Sequence, residues 1–216
     1  MKPVCLITGA AGHLGRDLCE TLQENFHVVG VYHSKKPDFS SEQYAIQADL
    51  TCRDGVQRII DLTLDRFGQI DALINAAADI KFHGKLRDLW LADDYPQSQL
   101  LLNSIVPMQL ASAIYQSCWK KQTEENARWN RSVVNISSIS ALYVFEERGQ
   151  AFYGVSKAAL NMLTLYLSLE MAPFNVRANA ICPSRFVGKA ATRRVSEATQ
   201  RLLLGNETGE IVTKIC

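Results

Sequence analysis

Charge of one sign is what this chain lacks most plainly. Its 216 residues hold 23 Lys and Arg against 22 Asp and Glu, a formal net charge of +1. No global field would draw it to nucleic acid or to an anionic membrane surface, and small ligands are the expected partners. Paired thiols are missing too. Cys5, Cys19, Cys52, Cys118, Cys182 and Cys216 form no C-x-x-C and no Cys/His set at metal spacing. That excludes a zinc module and a dithiol redox motif, so no metal is expected, and it reads as reduced, mostly buried thiols of a cytoplasmic protein. No apolar run reaches the ~18 residues of a membrane helix, no targeting leader precedes the first strand, and no repeat or linker divides the chain. A single domain over residues 1–216 is expected, and 47% hydrophobic residues can fill its core.

Strand and helix signals alternate along that domain. Strands are predicted at 3–8, 27–32, 44–48, 70–75, 132–137, 175–182 and 209–213, and helices after the first glycines and at 52–67, 96–121, 151–171 and 192–204. Residues 86–91 suit one turn of helix, and 123–131 reads as a charged connection. Such alternation calls for a doubly wound α/β fold, a parallel sheet with helices on both faces that binds ligands beyond the carboxyl ends of its strands.

The first turn, Gly9-Ala10-Ala11-Gly12-His13-Leu14-Gly15, lies between a clear strand and a clear helix. Gly9, Gly12 and Gly15 would let the backbone turn, approach a pyrophosphate and seat the helix on the sheet, while the helix N-terminus offers free N–H groups. A purely structural turn is the alternative. The second strand ends in His33-Ser34-Lys35-Lys36. An acidic residue there usually takes the ribose 2′-hydroxyl of NAD, and none is present. His33, Ser34 and Lys35 instead suit a 2′-phosphate, favouring NADP(H) over NAD(H), unless the segment is merely a basic turn in solvent. Asp49-Leu50 follows the third strand, where an acceptor can take the adenine amino group. Asn75-Ala76-Ala77-Ala78 closes the fourth with small residues that admit a flat ligand, though alanines are also ordinary packing residues.

Tyr153 and Lys157 stand four apart at the start of an apolar-periodic helix, which puts both on one face. A tyrosine used as acid or base near neutrality needs a shift of about three units from its usual pKa of ~10, and a neighbouring ammonium supplies part of it by favouring the phenolate. Alone the pair decides nothing, since surface Tyr and Lys neighbour each other by chance. Asn103, among Leu101, Leu102 and Ile105, is either a satisfied core amide or a functional one.

Taken in order, Thr8-Gly9-Ala10-Ala11-Gly12-His13-Leu14-Gly15, Asp49, Asn75-Ala76-Ala77-Ala78, Asn103, Asn135-Ile136-Ser137-Ser138, Tyr153-Gly154-Val155-Ser156-Lys157 and residues 176–183 resemble the short-chain dehydrogenase/reductase family over nearly the whole chain. The resemblance implies a Rossmann-type fold, hydride transfer between a nicotinamide cofactor and a small carbonyl or alcohol substrate, and a homodimer or homotetramer. By that resemblance Tyr153 is the acid/base, Lys157 lowers its pKa and holds the nicotinamide ribose, Ser138 bonds the substrate oxygen, and Asn103 helps hold a water in a proton relay. The cofactor would meet Gly9, Ala11, Gly12, His13, Leu14, Gly15, His33, Ser34, Lys35, Asp49, Leu50, Asn75, Ala76, Ala77, Tyr153, Lys157, Pro183 and Ser184. Departures are visible as well. His13 replaces the usual second glycine, Asn-Asn-Ala-Gly reads Asn75-Ala76-Ala77-Ala78, Pro-Gly reads Pro183-Ser184, and Ser140 has the usual spacing to Tyr153 where Ser138 lies about two residues too far. Residues 184–207 would supply only a short substrate loop, with Arg185, Phe186 and Lys189 as its contacts. A catalytically weak dinucleotide-binding sensor or scaffold is the alternative, and a sugar-nucleotide epimerase lacks room for its substrate domain.

Overall fold

In a computed structural model, residues 2–38, 43–81, 84–91, 96–146, 149–184 and 188–213 are described. Among them seven strands, β1 Val4–Thr8, β2 His27–Tyr32, β3 Tyr44–Gln47, β4 Ala72–Asn75, β5 Ser132–Ile136, β6 Arg177–Ile181 and β7 Ile211–Val212, form one sheet in the order β3-β2-β1-β4-β5-β6-β7. Every pairing is parallel. The helices are α1 His13–Leu22, α2 Arg53–Phe67, α3 over residues 97–119, α4 Thr123–Arg128, α5 Ala151–Met171 and α6 Lys189–Leu204. The doubly wound fold expected from the alternation is the fold found.

Alternate residues of each strand feed two cores, because successive side chains leave opposite faces of the sheet. Val4, Leu6, Val29, Val31, Leu73 and Val133 join Ile59, Leu110, Ile114 and Leu167 from α2, α3 and α5. Cys5, Ile7, Val28, Ile74 and Val134 join Leu14, Leu18, Val195 and Leu202 from α1 and α6 on the other face. The strand order reverses between β1 and β4, and the crevice beyond their carboxyl ends is the place such a sheet offers a ligand.

Some boundaries differ from the sequence expectation. Residues 123–128 are helical, not a connection. The sixth strand starts at Arg177, because a turn ending in Asn175 at φ 57 precedes it. The last helix starts at Lys189, directly after Gly188 at φ 85, so Lys189 opens a helix rather than lying in a loop. Arg185 and Phe186, the other expected loop contacts, and Cys216 lie outside the described residues. The long third helix is interrupted by π turns at Leu101–Ile105 and Tyr115–Trp119.

Candidate active site

The glycine turn is shaped by what surrounds it. Gly9 has φ +71, and a Cβ there would lie 2.8 Å from the Ala77 backbone. A Cβ on Gly15 would lie 2.1 Å from the Gly9 carbonyl, so α1 can reach the turn only without a side chain at that position. Thr8 Oγ1 accepts from the amides of Ala76 and Ala77, at 3.0 and 3.1 Å, and so ties the turn after β4 to the turn after β1. The motif contained Thr8, but only the structure gives it this part. His13, Gly12 and Ala11 ring the start of α1, His13 and Gly12 exposed and Leu14 buried beneath them.

Beside this turn a cavity of about 510 Å³ is lined by Gly9, Tyr32, His33, Asp49, Leu50 and Ala77, among others. Its walls come from β1, β2, β3 and β4, which brings together residues the sequence scatters over some seventy positions. Asp49 is already engaged: its Oδ1 accepts from the Thr51 hydroxyl at 2.6 Å and the Thr51 amide at 2.9 Å. Those bonds, aided by the charge of His33, hold its carboxyl below the usual range. Ser34 and Lys35 are exposed at the end of β2. At the far side Pro183 is buried, its carbonyl accepting from the Ile139 amide at 2.9 Å, and Ser184 is exposed. A dinucleotide fits this set of parts: a cradle that side chains would fill, free N–H groups at a helix N-terminus, and an adenosine-sized cavity between them.

The reactive end lies where β5 meets the start of α5. The Ser138 hydroxyl lies near enough to the Tyr153 phenol to favour its ionised form, and Ser138 Oγ accepts from the Ser140 amide at 3.1 Å. Ser140 lines a separate cavity of about 660 Å³ with Leu142, Val144 and Val155. Val155 lies two residues, or about 200°, around the helix from Tyr153, so that cavity belongs to the other side of α5. The structure thus brings Ser138, not Ser140, to the tyrosine. Lys157 is 2% exposed and donates from Nζ to the Ile136 carbonyl at 2.8 Å, with Nζ 5.9 Å from the centre of the Tyr153 ring. Burial lowers its pKa to about 8. Tyr153 differs from the sequence expectation. Its pKa is raised by burial, which outweighs the lowering by Ser138. An ammonium held by the Ile136 carbonyl, 5.9 Å from the ring centre, does not offset the loss of water around the phenol.

Asn103 sits at the middle of the first π turn, fully buried. Its Oδ1 accepts from the Asp79 amide at 2.7 Å, and its Nδ2 donates to the Asp79 carbonyl at 2.9 Å and to Ser156 Oγ at 3.1 Å. The amide is saturated as a core group, and among the described residues it makes no bond to Lys157. Pro107 has no N–H to return to the Asn103 carbonyl in α-helical register. Ser104 was not singled out in the sequence and Ser137 was given no part of its own: Ser104 Oγ donates to the Ser156 carbonyl at 2.7 Å, and Ser137 Oγ donates to the Lys157 carbonyl at 3.1 Å. Both anchor α5, and a serine beside Asn103 or Ser138 carries no local signal of that part.

The profile of the short chain dehydrogenase family matches residues 3–200. A 7alpha-hydroxysteroid dehydrogenase of Bacteroides fragilis is 26% identical, the alignment covering 94% of this chain and 78% of that one. A 3-oxoacyl-(acyl-carrier-protein) reductase of Buchnera aphidicola is 29% identical over 84% of this chain and 73% of its own. The fold superposes on a short chain dehydrogenase from Leptospira borgpetersenii with bound NAD+, TM-score 0.82 at 21% identity, covering 98% of this chain and 91% of that one. Among the described residues no helix is long and apolar enough to cross a membrane, and no His/Cys/Asp/Glu group could hold a metal ion. A profile match from the first strand into the last helix, on a sheet wound in the same order, makes this chain a member of the short-chain dehydrogenase/reductase family of oxidoreductases.

Proposed function

We propose that the protein transfers hydride between NADP(H) and a small carbonyl or alcohol substrate, with Tyr153 as acid/base, and that it works as a homodimer or homotetramer. The observation that carries the reading is the convergence of Ser138, Tyr153 and Lys157 at the open end of the cofactor crevice. The nicotinamide, when bound, supplies or accepts the hydride. Tyr153 Oη holds the proton that the substrate oxygen takes, and Ser138 Oγ, beside Tyr153, orients that oxygen. Lys157, buried beside them, is the group suited to the nicotinamide ribose. Because burial keeps the Tyr153 proton in place, the free site is poised for carbonyl reduction at neutral pH, where a protonated phenol is the form required.

The preference for NADP(H) rests on the end of β2, where His33, Ser34 and Lys35 are exposed and no carboxylate stands to take a 2′-hydroxyl. The Leptospira relative binds NAD+, a property of that protein. Two phosphate-directed contacts of ~1 kcal/mol or more each would make NADPH bind about tenfold more tightly than NADH or better. Fluorescence titration with both cofactors, followed by oxidation of the preferred one over a panel of ketones, quinones and keto-acyl thioesters, tests the reading. Tyr153→Phe should cost roughly 10²- to 10⁴-fold in turnover with cofactor affinity retained; near-normal turnover in that variant would remove Tyr153 from the chemistry.

A further inference from the structure

Three neighbouring strands carry polar side chains at one register near their carboxyl ends. Thr8 of β1 pairs with Asn75 of β4, which pairs with Asn135 of β5, and all three are buried. From Asn75 a line of hydrogen bonds crosses the sheet. Asn75 Nδ2 donates to Asn135 Oδ1 at 2.8 Å, Asn135 Nδ2 donates to Thr164 Oγ1 at 2.8 Å, and Thr164 Oγ1 donates to the Leu160 carbonyl at 2.7 Å.

The line can run in one direction only. A threonine hydroxyl has a single hydrogen, and here Leu160 takes it, so towards Asn135 the oxygen can only accept. Asn135 must then turn its NH2 to α5 and its oxygen to Asn75. Asn75 must answer with its own NH2, which leaves Asn75 Oδ1 as the terminal acceptor, buried and without a donor among the described residues. Flipping either amide would set like groups against each other. One hydroxyl on α5 thereby fixes two amides on two strands.

Both ends of the line meet working parts. Asn75 leads directly into Ala76 and Ala77, whose amides are held by Thr8 Oγ1 against the glycine turn. Thr164 lies two turns beyond Lys157 on α5, and Ser137, two residues after Asn135 and just past the end of β5, grips the Lys157 carbonyl. We propose that Asn135 and Thr164 are positioning residues: through them the cofactor wall at Asn75-Ala76-Ala77 and the helix carrying Tyr153 and Lys157 are set relative to one another. The proposal rests on the reading that this crevice binds a nicotinamide cofactor, although neither residue touches it.

Thr164→Val keeps the shape and removes the acceptor, leaving the Asn135 amide to reorient. Thr164→Ser restores the hydroxyl. Thr63→Val is the control, since Thr63 is equally buried but its hydroxyl serves only its own helix, donating to the Ile59 carbonyl at 2.6 Å. Both valine variants should lower the melting temperature. Only Thr164→Val should raise the NADPH dissociation constant, by about tenfold, with Thr164→Ser close to wild type. It should also speed amide hydrogen exchange at Ala76 and Ala77, across the sheet from the substitution. Exchange at Ala76 and Ala77 unchanged in Thr164→Val, or a dissociation constant moved no more than in Thr63→Val, would overturn the coupling. A wild-type protein that bound neither NADPH nor NADH would defeat the cofactor reading instead, and the exchange comparison would still decide the coupling.

Discussion

Burial takes the Lys157 ammonium out of water and gives it the Ile136 carbonyl as a partner, and its pKa falls from 10.5 to about 8. An unfolded lysine keeps its proton to about pH 10.4. Between pH 8 and 10 the unfolded chain therefore binds more protons than the folded one, and stability rises with pH over that window. Above pH 10 Tyr153 works the other way, since its raised pKa makes the unfolded chain release its proton first. The comparison is wild type against Lys157→Met in urea from pH 7 to 10. Wild type should gain roughly 2 to 3 kcal/mol on the variant across the window. The slope is the readout, because methionine also leaves the Ile136 carbonyl unpaired and so shifts the offset. A flat difference would mean that the ammonium is solvated in the folded protein. The i, i+4 spacing of Tyr153 and Lys157 was legible in sequence because helix geometry alone places them. The choice between Ser138 and Ser140 was not, since it depends on which hydroxyl the turn after β5 aims at α5.

At the scale of elements, the end of the sheet opposite the crevice is held by a buried ion pair. Arg131 Nε lies 3.2 Å from Asp71 Oδ1, both side chains almost wholly inaccessible, and the same carboxylate accepts from the Val4 amide through Oδ2 at 2.8 Å. Arg131 Nη1 further donates to Gln122 Oε1 at 2.8 Å and Asn126 Oδ1 at 2.7 Å. Burial raises the Asp71 pKa in spite of these partners, so removing the arginine would strand a carboxylate already short of solvation. Arg131→Leu is expected to cost about 3 to 5 kcal/mol in urea or thermal unfolding. Breaking the exposed pair of Arg128 and Glu125 should cost under about 1 kcal/mol. Equal losses would show that the buried pair is an incidental contact. The same knot explains why α4 was not legible. Residues 123–128, TEENAR, carry no apolar stripe, and their helix is fixed by Asn126, whose Nδ2 donates to the carbonyls of Trp119 and Phe174. Contacts to positions seven and forty-eight residues away leave no local pattern. The strands, by contrast, were readable because runs buried on both faces are mostly apolar along their length.

For the whole molecule, the outer face of α5 is where the single chain leaves most unburied. Val155, Met162, Tyr166 and Leu169 fall on one side of the helix at spacings of seven, four and three residues, and each is more than half exposed. Ile105 of α3 is exposed as well, and the cavity lined by Leu142, Val144 and Val155 opens on the same side of α5. A monomer of this size can carry scattered apolar residues on its surface, but a stripe along four turns of one helix marks a surface meant for cover. The lysine and tyrosine face inward from this helix, so the stripe is free for another subunit without obstructing the crevice. A second copy meeting it about a two-fold axis would set stripe against stripe, and a stable pair would bury about 1,200 to 2,000 Å². Sedimentation should accordingly give at least twice the 24.1 kDa of the chain, and Met162→Glu with Tyr166→Glu should return it to a monomer by desolvating four carboxylates in the pair. Because α5 also carries Tyr153 and Lys157, the separated subunits should turn over more slowly while keeping most of their affinity for the dinucleotide, whose proposed seat is chiefly the turns after β1, β2 and β4. A wild-type protein that sediments as a monomer at every concentration would remove the two-fold pair and leave the stripe as exposed surface of the single chain.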